Sequence, residues 1–134
     1  MARVDGFEDL IAWQKARFLT RRVYEVSREG TLARDFGLGS QMQRASVSIM
    51  ANIAEGSERG SKEFLQFLLI AKASCAEVRS HLYVALDTGY VDQHTFDELN
   101  TLAAEVWRIV ASLRASIAHT VSYTHLTLPT SDLV

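Results

Sequence analysis

Apolar residues recur at intervals of three and four through most of this chain, a spacing that predicts helices rather than strands. A central helix within residues 36–61 has one side formed by Leu38, Met42, Ala45, Ile49, Asn52 and Gly56, and another side formed by Gln41, Arg44, Ser48 and Glu55. Asn52 is thus an amide in an otherwise apolar stripe, and leaving a buried amide unpaired costs about 1–3 kcal/mol. We expect Asn52 to have a specific partner and, with Glu55, to fix the junction between the second and third helices.

The first helix is predicted to follow Gly6 and to run to about Arg28, because Asp5 can cap its free amides. The carboxylates just after Gly6 also suit the positive end of the helix dipole. The helix is predicted to end at Glu29-Gly30-Thr31, and the segment from there to Gly39 is predicted to be a loop that Leu32 and Phe36 pin to the bundle.

The second helix is predicted to end near Glu55, with Gly56 in the left-handed conformation that often follows a helix. Ser61 is expected to cap the third helix and Gly89 to end it. The apolar stripe of the third helix comprises Phe64, Leu68, Ala71, Cys75, Val78, Leu82 and Ala85, widened by Leu65, Phe67 and Ile70. A helix this apolar is expected to contact more than its own bundle.

The fourth helix is predicted to start near Asp92 and to carry a coiled-coil-like seam of Phe96, Leu99, Ala103, Val106, Val110, Leu113 and Ile117. After about Thr120 the period is lost. We therefore predict a four-helix domain over residues 1–120 and an irregular tail, outside the native fold, over residues 121–134. Because short connections favour antiparallel neighbours, the predicted fold class is all-α, an up-down-up-down four-helix bundle. Its core is expected to contain Leu38, Met42, Ile49, Phe64, Leu68, Leu99, Val106 and Leu113.

Composition adds an expectation of self-association. Of the 134 residues, 48% are hydrophobic and 22% are charged, which leaves more apolar surface than a small monomer hides. Cys75 is the single cysteine and no apolar segment follows Met1, which together favour a reducing cytoplasm. The most apolar run, residues 64–76, is too short and too interrupted by polar residues to span a membrane.

The net charge of −2 is not typical of a nucleic-acid-binding protein. Residues 1–72 are nevertheless weakly basic, and the first helix has a basic stripe of Lys15, Arg17, Arg21, Arg22 and Arg28. We interpret this stripe as an ordinary solvated helix face, with phosphate contact as the alternative. Arg59 and Lys62, at the start of the third helix, could likewise hold an anion, although a glycine turn with solvated charges is the preferred interpretation.

Residues typical of catalysis do not converge in the sequence. The four histidines show no partner at metal-ligand spacing, and His81 is expected to be a surface or interface imidazole. Cys75 is expected to be a small buried hydrophobe. Glu55 faces the unfavourable end of its helix dipole, so it should have a partner: Arg59, the amides of the third helix, or a basic group of another chain. We predict neither an enzyme nor a cofactor.

Several of these residues together resemble a known family. The matching segments are Phe7-x-x-Leu10-x-x-Trp13, Phe36-Gly37-Leu38, Gln41, Arg44-Ala45, Ser48-Ile49, Asn52-Ile53-Ala54-Glu55-Gly56, Gly60-Ser61, Phe64-Leu65, Ala73-Ser74, Glu77 and Gly89-Tyr90. Over about residues 6–117 the chain is similar to the bacterial four-helix bundle proteins known from intervening sequences of large-subunit ribosomal RNA genes. Within these segments we mark as a structural motif Gln41, Arg44, Asn52, Glu55 and Gly56.

That resemblance implies four antiparallel helices assembled as a homopentameric ring with a central pore or funnel. The accessory variability protein of diversity-generating retroelements shares this fold and binds nucleic acid and a reverse transcriptase through a basic surface. Most members of the family have no established biochemical activity. The sequence therefore predicts a non-enzymatic homo-oligomeric scaffold or binding module, joined through apolar positions of the third or fourth helix. The alternative is a nucleic-acid-binding accessory protein that acts with RNA or a reverse transcriptase.

Overall fold

The computed structural model describes the backbone of residues 6–127 and the side chains of residues 6–123. This part of the chain forms four α-helices and contains no strand. A 3-10 turn at Phe7–Asp9 precedes α1 (Ile11–Ser27), a second at Leu32–Arg34 precedes α2 (Phe36–Ser57), and α3 (Ser61–Asp87) and α4 (Gln93–Thr127) follow. None of the helices described combines the length and the apolar content that crossing a bilayer requires.

The four helices form a bundle around one core. Each helix packs against the next along the chain, and α1 also packs against α4. Five of the eight predicted core residues are fully buried, namely Met42, Ile49, Leu68, Leu99 and Val106. The other three pack against that core while partly exposed, namely Leu38, Phe64 and Leu113.

The first helix begins later than the sequence predicts. The Phe7–Asp9 segment forms a 3-10 turn, and α1 starts only at Ile11, without a side-chain cap. The Trp13 ring lies 5.1 Å from the ring of Phe7 in an edge-on arrangement, so aromatic packing holds this turn against α1. Asp5, the predicted cap, lies outside the described residues.

The predicted loop before α2 is shorter than expected. Helix α2 begins at Phe36, because the carboxylate of Asp35 accepts a hydrogen bond from the Leu38 amide at 3.0 Å. The hydroxyl of Tyr90 donates to the same carboxylate at 3.0 Å and so ties the start of α2 to the turn that follows α3. Leu32 is buried as predicted, but Phe36 is 82% exposed and does not pin the loop.

Gly56 does not adopt the left-handed conformation that the sequence predicts, because α2 continues through it to Ser57. The left-handed glycines of the described chain are Gly30 and Gly89, and Gly89 ends α3 as predicted. A Cβ atom placed on Gly56 would lie 2.6 Å from the Cβ of Phe67. Glycine is therefore needed here for the close approach of α2 to α3 rather than for its backbone freedom.

The caps of α3 and α4 differ from each other. Gly60, not Ser61, occupies the cap position of α3, and no side chain caps that helix, so the predicted role of Ser61 is wrong. Helix α4 has the predicted cap, since the carboxylate of Asp92 accepts from the Thr95 amide at 2.8 Å.

Helix α4 continues beyond its predicted end near Thr120 and reaches Thr127. Residues 121–127, predicted as irregular, are thus helical, because losing the apolar period removes burial but not the backbone hydrogen bonds of a helix. Tyr123 is accordingly 64% exposed. The rest of the predicted tail, residues 128–134, lies outside the described residues.

Candidate interaction surface

The side of α3 that faces away from the bundle is apolar. Four of its large side chains are between 45% and 50% exposed: Leu69, Ile70, Tyr83 and Val84. Together with the exposed residues between them, Ala73, Ala76, Glu77 and Ser80, they form a surface that we call the α3 face. The outward side of a helix in a monomeric protein is normally rich in charge. The α3 face instead has the composition of a protein interface.

Glu77 carries the single formal charge among the exposed residues from 66 to 84. Its Oε2 lies 3.7 Å from Nε2 of His81, too far for a hydrogen bond and ionic only when the imidazole is protonated. This Nε2 is buried and has no hydrogen-bond partner in the described chain. No lysine or arginine of the described residues pairs with Glu77, so its charge lacks a strong partner.

Two cations of α3 are turned toward α4 instead. The ammonium group of Lys72 lies 4.8 Å from the ring centre of Trp107, and Nε of Arg79 donates to Oδ1 of Asn100 at 3.0 Å. Trp107 is 38% exposed. Because these cations are engaged with α4, the α3 face carries no charge apart from that of its one carboxylate.

The outward side of α2 is also short of charge. Residues 45–54 contain no charged side chain, and Val47 is 41% exposed. We call the exposed Val47 and Ala51, with the half-buried Met50 and Ala54, the α2 face. Arg44 precedes this face; it is exposed and has no carboxylate partner among the described residues. Gln41, another predicted motif residue, is exposed as well.

Ion pairs cover the opposite side of the bundle, between α1 and α4. Lys15 lies 3.1 Å from Glu105, and Nη2 of Arg22 lies 2.7 Å from Oε1 of Glu98. The hydrogen bond that Arg22 donates to Glu98 lowers the pKa of the Glu98 carboxyl group and raises the pKa of the Arg22 guanidinium. These two cations of the predicted basic stripe are therefore balanced by carboxylates within the chain.

The rest of the predicted basic stripe is partly neutralised too. Arg21 lies 3.8 Å from Glu25 on the same helix. Arg17 and Arg28 have no carboxylate partner in the described chain, and each guanidinium lies over the aromatic ring four residues earlier, 5.7 and 5.1 Å from its centre. Only these two of the five predicted cations keep a charge that no carboxylate balances.

Asn52 is half-buried rather than fully buried, and its hydrogen-bond partner is Ser48, one turn earlier in the same helix. Its Nδ2 donates to the carbonyl oxygen of Ser48 at 2.8 Å and lies 3.1 Å from the Ser48 hydroxyl. That hydroxyl is 2.9 Å from the hydroxyl of Ser74 on α3, which is 6% exposed. A chain of polar groups thus links α2 to α3, and Ser74 is a member that the sequence did not single out for this role.

The partner of Glu55 is one of the three that the sequence leaves open. Its Oε1 accepts from Nη2 of Arg59 at 3.0 Å, and Arg59 also lies 3.5 Å from Glu63 and over the ring of Phe67 at 5.1 Å. Arg59 is therefore already engaged. Lys62 is exposed and has no carboxylate partner among the described residues, so it alone of the predicted anion pair is free.

The described residues do not bring reactive groups together. They contain no group of three or more His, Cys, Asp or Glu side chains that could hold a metal. A groove of about 440 Å³ between α1 and α4 includes Glu98 and Glu105, both paired with cations. A second groove, of about 340 Å³, lies beside the exposed Phe36. Cys75 is buried as predicted, and burial raises its pKa to about 12, so the group stays a thiol.

The sequence analysis predicted only part of the α3 face. Of the three residues predicted to widen the α3 stripe, only Ile70 belongs to the α3 face, and the other two are half-buried. The signal that could have found the rest is a repeat: the pair Leu69-Ile70 is followed two heptads later by Tyr83-Val84.

Comparison with known proteins gives one family and one fold. The sequence model of the 23S rRNA-intervening sequence protein family matches residues 8–112. Among solved structures, a protein of unknown function from the S23 ribosomal protein family of Bacteroides thetaiotaomicron is similar, with a TM-score of 0.71 and 21% identity, over 78% of this chain and 98% of that chain. At this identity the likeness concerns the fold alone. No curated protein matches the chain in sequence.

Proposed function

The chain belongs to the 23S rRNA-intervening sequence protein family, and from this premise we propose that it is a non-enzymatic scaffold or binding module assembled from copies of itself. The α3 face is the observation that carries this proposal. Full burial of one large apolar side chain is worth about 1.5–3 kcal/mol, so covering four half-exposed ones contributes about 3–6 kcal/mol. Association costs about 4–15 kcal/mol, so a second apolar surface on the neighbouring copy has to contribute as well.

A ring of five copies is the assembly that the sequence resemblance implies, and we adopt it in the proposal together with the up-down-up-down order of helices. Two contacts support opposite directions for α3 and α4. Arg114 donates to the carbonyl oxygen of Leu65, whereas Arg79, further along α3, donates to Asn100, which is earlier on α4.

The absence of catalysis in this proposal is supported by the state of the reactive groups present. The single thiol, that of Cys75, is buried and protonated, and two carboxylates of the larger groove, those of Glu98 and Glu105, are paired with cations. A single reduced cysteine also supports a cytoplasmic location.

Light scattering coupled to size exclusion tests the assembly. The measured mass of the wild type is expected to be five times the 15.0 kDa of one copy. Ile70→Glu, in the α3 face, is expected to reduce the measured mass to that of one copy. Ile11→Glu is the matched control, because Ile11 is 62% exposed on α1, away from the α3 face, and should leave the mass unchanged. A wild-type chain with the mass of one copy at micromolar concentration would falsify the proposal.

Nucleic-acid binding is the second candidate, and Arg17 and Arg28 are the observation in its favour, since no described carboxylate balances them. A ring would repeat these cations on every copy. Binding of structured RNA at about 50 mM salt that weakens steeply as salt rises would support this role. If no binding is detected at that salt concentration, the nucleic-acid-binding role is wrong and only the scaffold role remains.

A further inference from the structure

Glu77 lies at the middle of the α3 face. Ile70 precedes it and Val84 follows it by seven residues, so the three side chains form one row along the helix. Leu69 and Tyr83 accompany the outer two members of this row. Any surface that covers both apolar pairs must therefore cover the carboxylate between them, whose side chain is 61% exposed in the isolated chain.

A two-fold contact between α3 faces is unfavourable for this reason. A two-fold interface joins the same patch of both copies, so a residue at the centre lies beside its own counterpart. Two Glu77 carboxylates would be enclosed together, and like charges that lose their solvent oppose association. The α3 face therefore fits a different surface of the neighbouring copy, and contacts of this head-to-tail kind produce closed rings or open filaments.

The α2 face offers the apolar surface and the opposite charge that the α3 face requires. Val47 and Ala51 are exposed, and residues 45–54 carry no charge. Arg44 lies about one helical turn before Val47, is exposed, and has no carboxylate partner among the described residues. The cations of α1, by contrast, are paired with carboxylates or stacked on aromatic rings.

We propose that the α3 face of one copy packs on the α2 face of the next copy, with Glu77 of the first paired with Arg44 of the second. The inference rests on the proposed function and names the two surfaces and the ion pair that orient the copies. Each copy then uses each face once, so addition of copies continues until the ring closes. The pair also satisfies the two charges that burial of these faces would otherwise leave unpaired.

Two charge reversals and their mixture test this pairing. Glu77→Arg and Arg44→Glu each place like charges across the contact, and each is expected to weaken self-association by about 30-fold or more. An equimolar mixture of the two variants is expected to recover assembly, because opposite charges then meet wherever the two variants alternate. Because five is an odd number, a ring of five keeps one contact between two copies of the same variant, where like charges meet. Light scattering gives the masses, and circular dichroism confirms that each variant is folded.

Mixing distinguishes a pair between copies from a pair within one chain, since an internal defect is not repaired by a second chain. Arg17→Glu is the matched control: alone it should assemble like the wild type, and introduced into the Glu77→Arg chain it should not restore assembly. Arg108, an exposed cation of α4 with no carboxylate partner in the described chain, is the competing site. Recovery of assembly when Arg108→Glu is introduced into the Glu77→Arg chain would overturn the assignment to α2.

The remaining outcomes separate this inference from the proposed function. If the wild type assembles but the mixture of Glu77→Arg and Arg44→Glu stays dissociated, the pairing is wrong and the scaffold proposal stands. If Arg44→Glu alone assembles like the wild type, the pairing is also wrong. If the wild type does not assemble, both the pairing and the scaffold proposal are wrong.

Discussion

Replacing Gly56 with alanine tests whether close packing, rather than backbone freedom, explains this glycine. The added methyl group would lie 2.6 Å from Cβ of Phe67 and 2.8 Å from Cδ1 of Phe64. The ring of Phe64 can rotate away, but the Cβ of Phe67 is attached directly to the backbone. Since carbon atoms in contact are normally about 3.5–4.0 Å apart, α3 would have to move away by about 1 Å.

Two opposing effects set the magnitude of the change. Alanine favours the helical backbone over glycine by about 0.5–1 kcal/mol. Overpacking a well-filled interior costs about 1–3 kcal/mol, and the rigid position of the Phe67 Cβ places this site in the upper part of that range. The packing effect exceeds the helix effect, so Gly56→Ala is expected to lower the free energy of unfolding by about 1–2 kcal/mol.

Urea unfolding followed by circular dichroism measures this difference, with all variants at one protomer concentration because oligomer stability depends on concentration. Gly37→Ala is the control in the same helix: its Cβ would lie 3.6 Å from Oδ1 of Asp35, an ordinary contact. The free energy of unfolding of Gly37→Ala should equal that of the wild type or exceed it by up to about 1 kcal/mol. If Gly56→Ala is as stable as Gly37→Ala, the packing argument is refuted.

Three further predictions follow from single contacts. Ser48→Ala and Ser74→Ala should be coupled by about 0.5–1.5 kcal/mol in a double-mutant cycle of urea unfolding, and additive effects would exclude the hydroxyl pair. The pKa of Asp35 is lowered first by a backbone amide and then by the Tyr90 hydroxyl, so Tyr90→Phe should raise it only part of the way to its ordinary value in a carboxyl NMR titration. The ionised Asp35 carboxylate contributes stability above the ordinary pKa of aspartate, and this contribution is lost as the pH falls through the lowered pKa of the folded state. An unchanged Asp35 pKa in Tyr90→Phe would contradict this account. The Cys75 thiol, with its pKa of about 12, should resist alkylation at about pH 8 in the native protein and react in urea, and equal rates in both conditions would show that it is not buried.

Local signals predicted the helices well and their ends less well. The periodic stripes predicted four helices, and Asp92 and Gly89 act at helix ends as their residue types indicate. Gly56 and Ser61 do not, although their residue types suggested equally good signals. A glycine can serve a left-handed turn or a close helix contact, and the residue type does not say which of the two applies.

The interaction surface was predictable only in part. The sequence indicated an excess of apolar residues on the third helix, yet most of the α3 face was not named from it. The basic stripe was visible in the sequence, but Glu98 and Glu105 of α4, which balance two of its five cations, are far away along the chain. Pairing across two helices depends on their relative rotation, which no local pattern specifies.

The sequence by itself determined that this chain is helical, where its apolar stripes lie and which family it resembles, because these properties depend on residues within one or two helical turns of each other. The tertiary structure alone decided that Gly56 is packed against Phe67, that Ser48 meets Ser74, and that the α3 face stays uncovered. Each of these depends on how one helix is placed against another. That placement is set by the packing of the whole core.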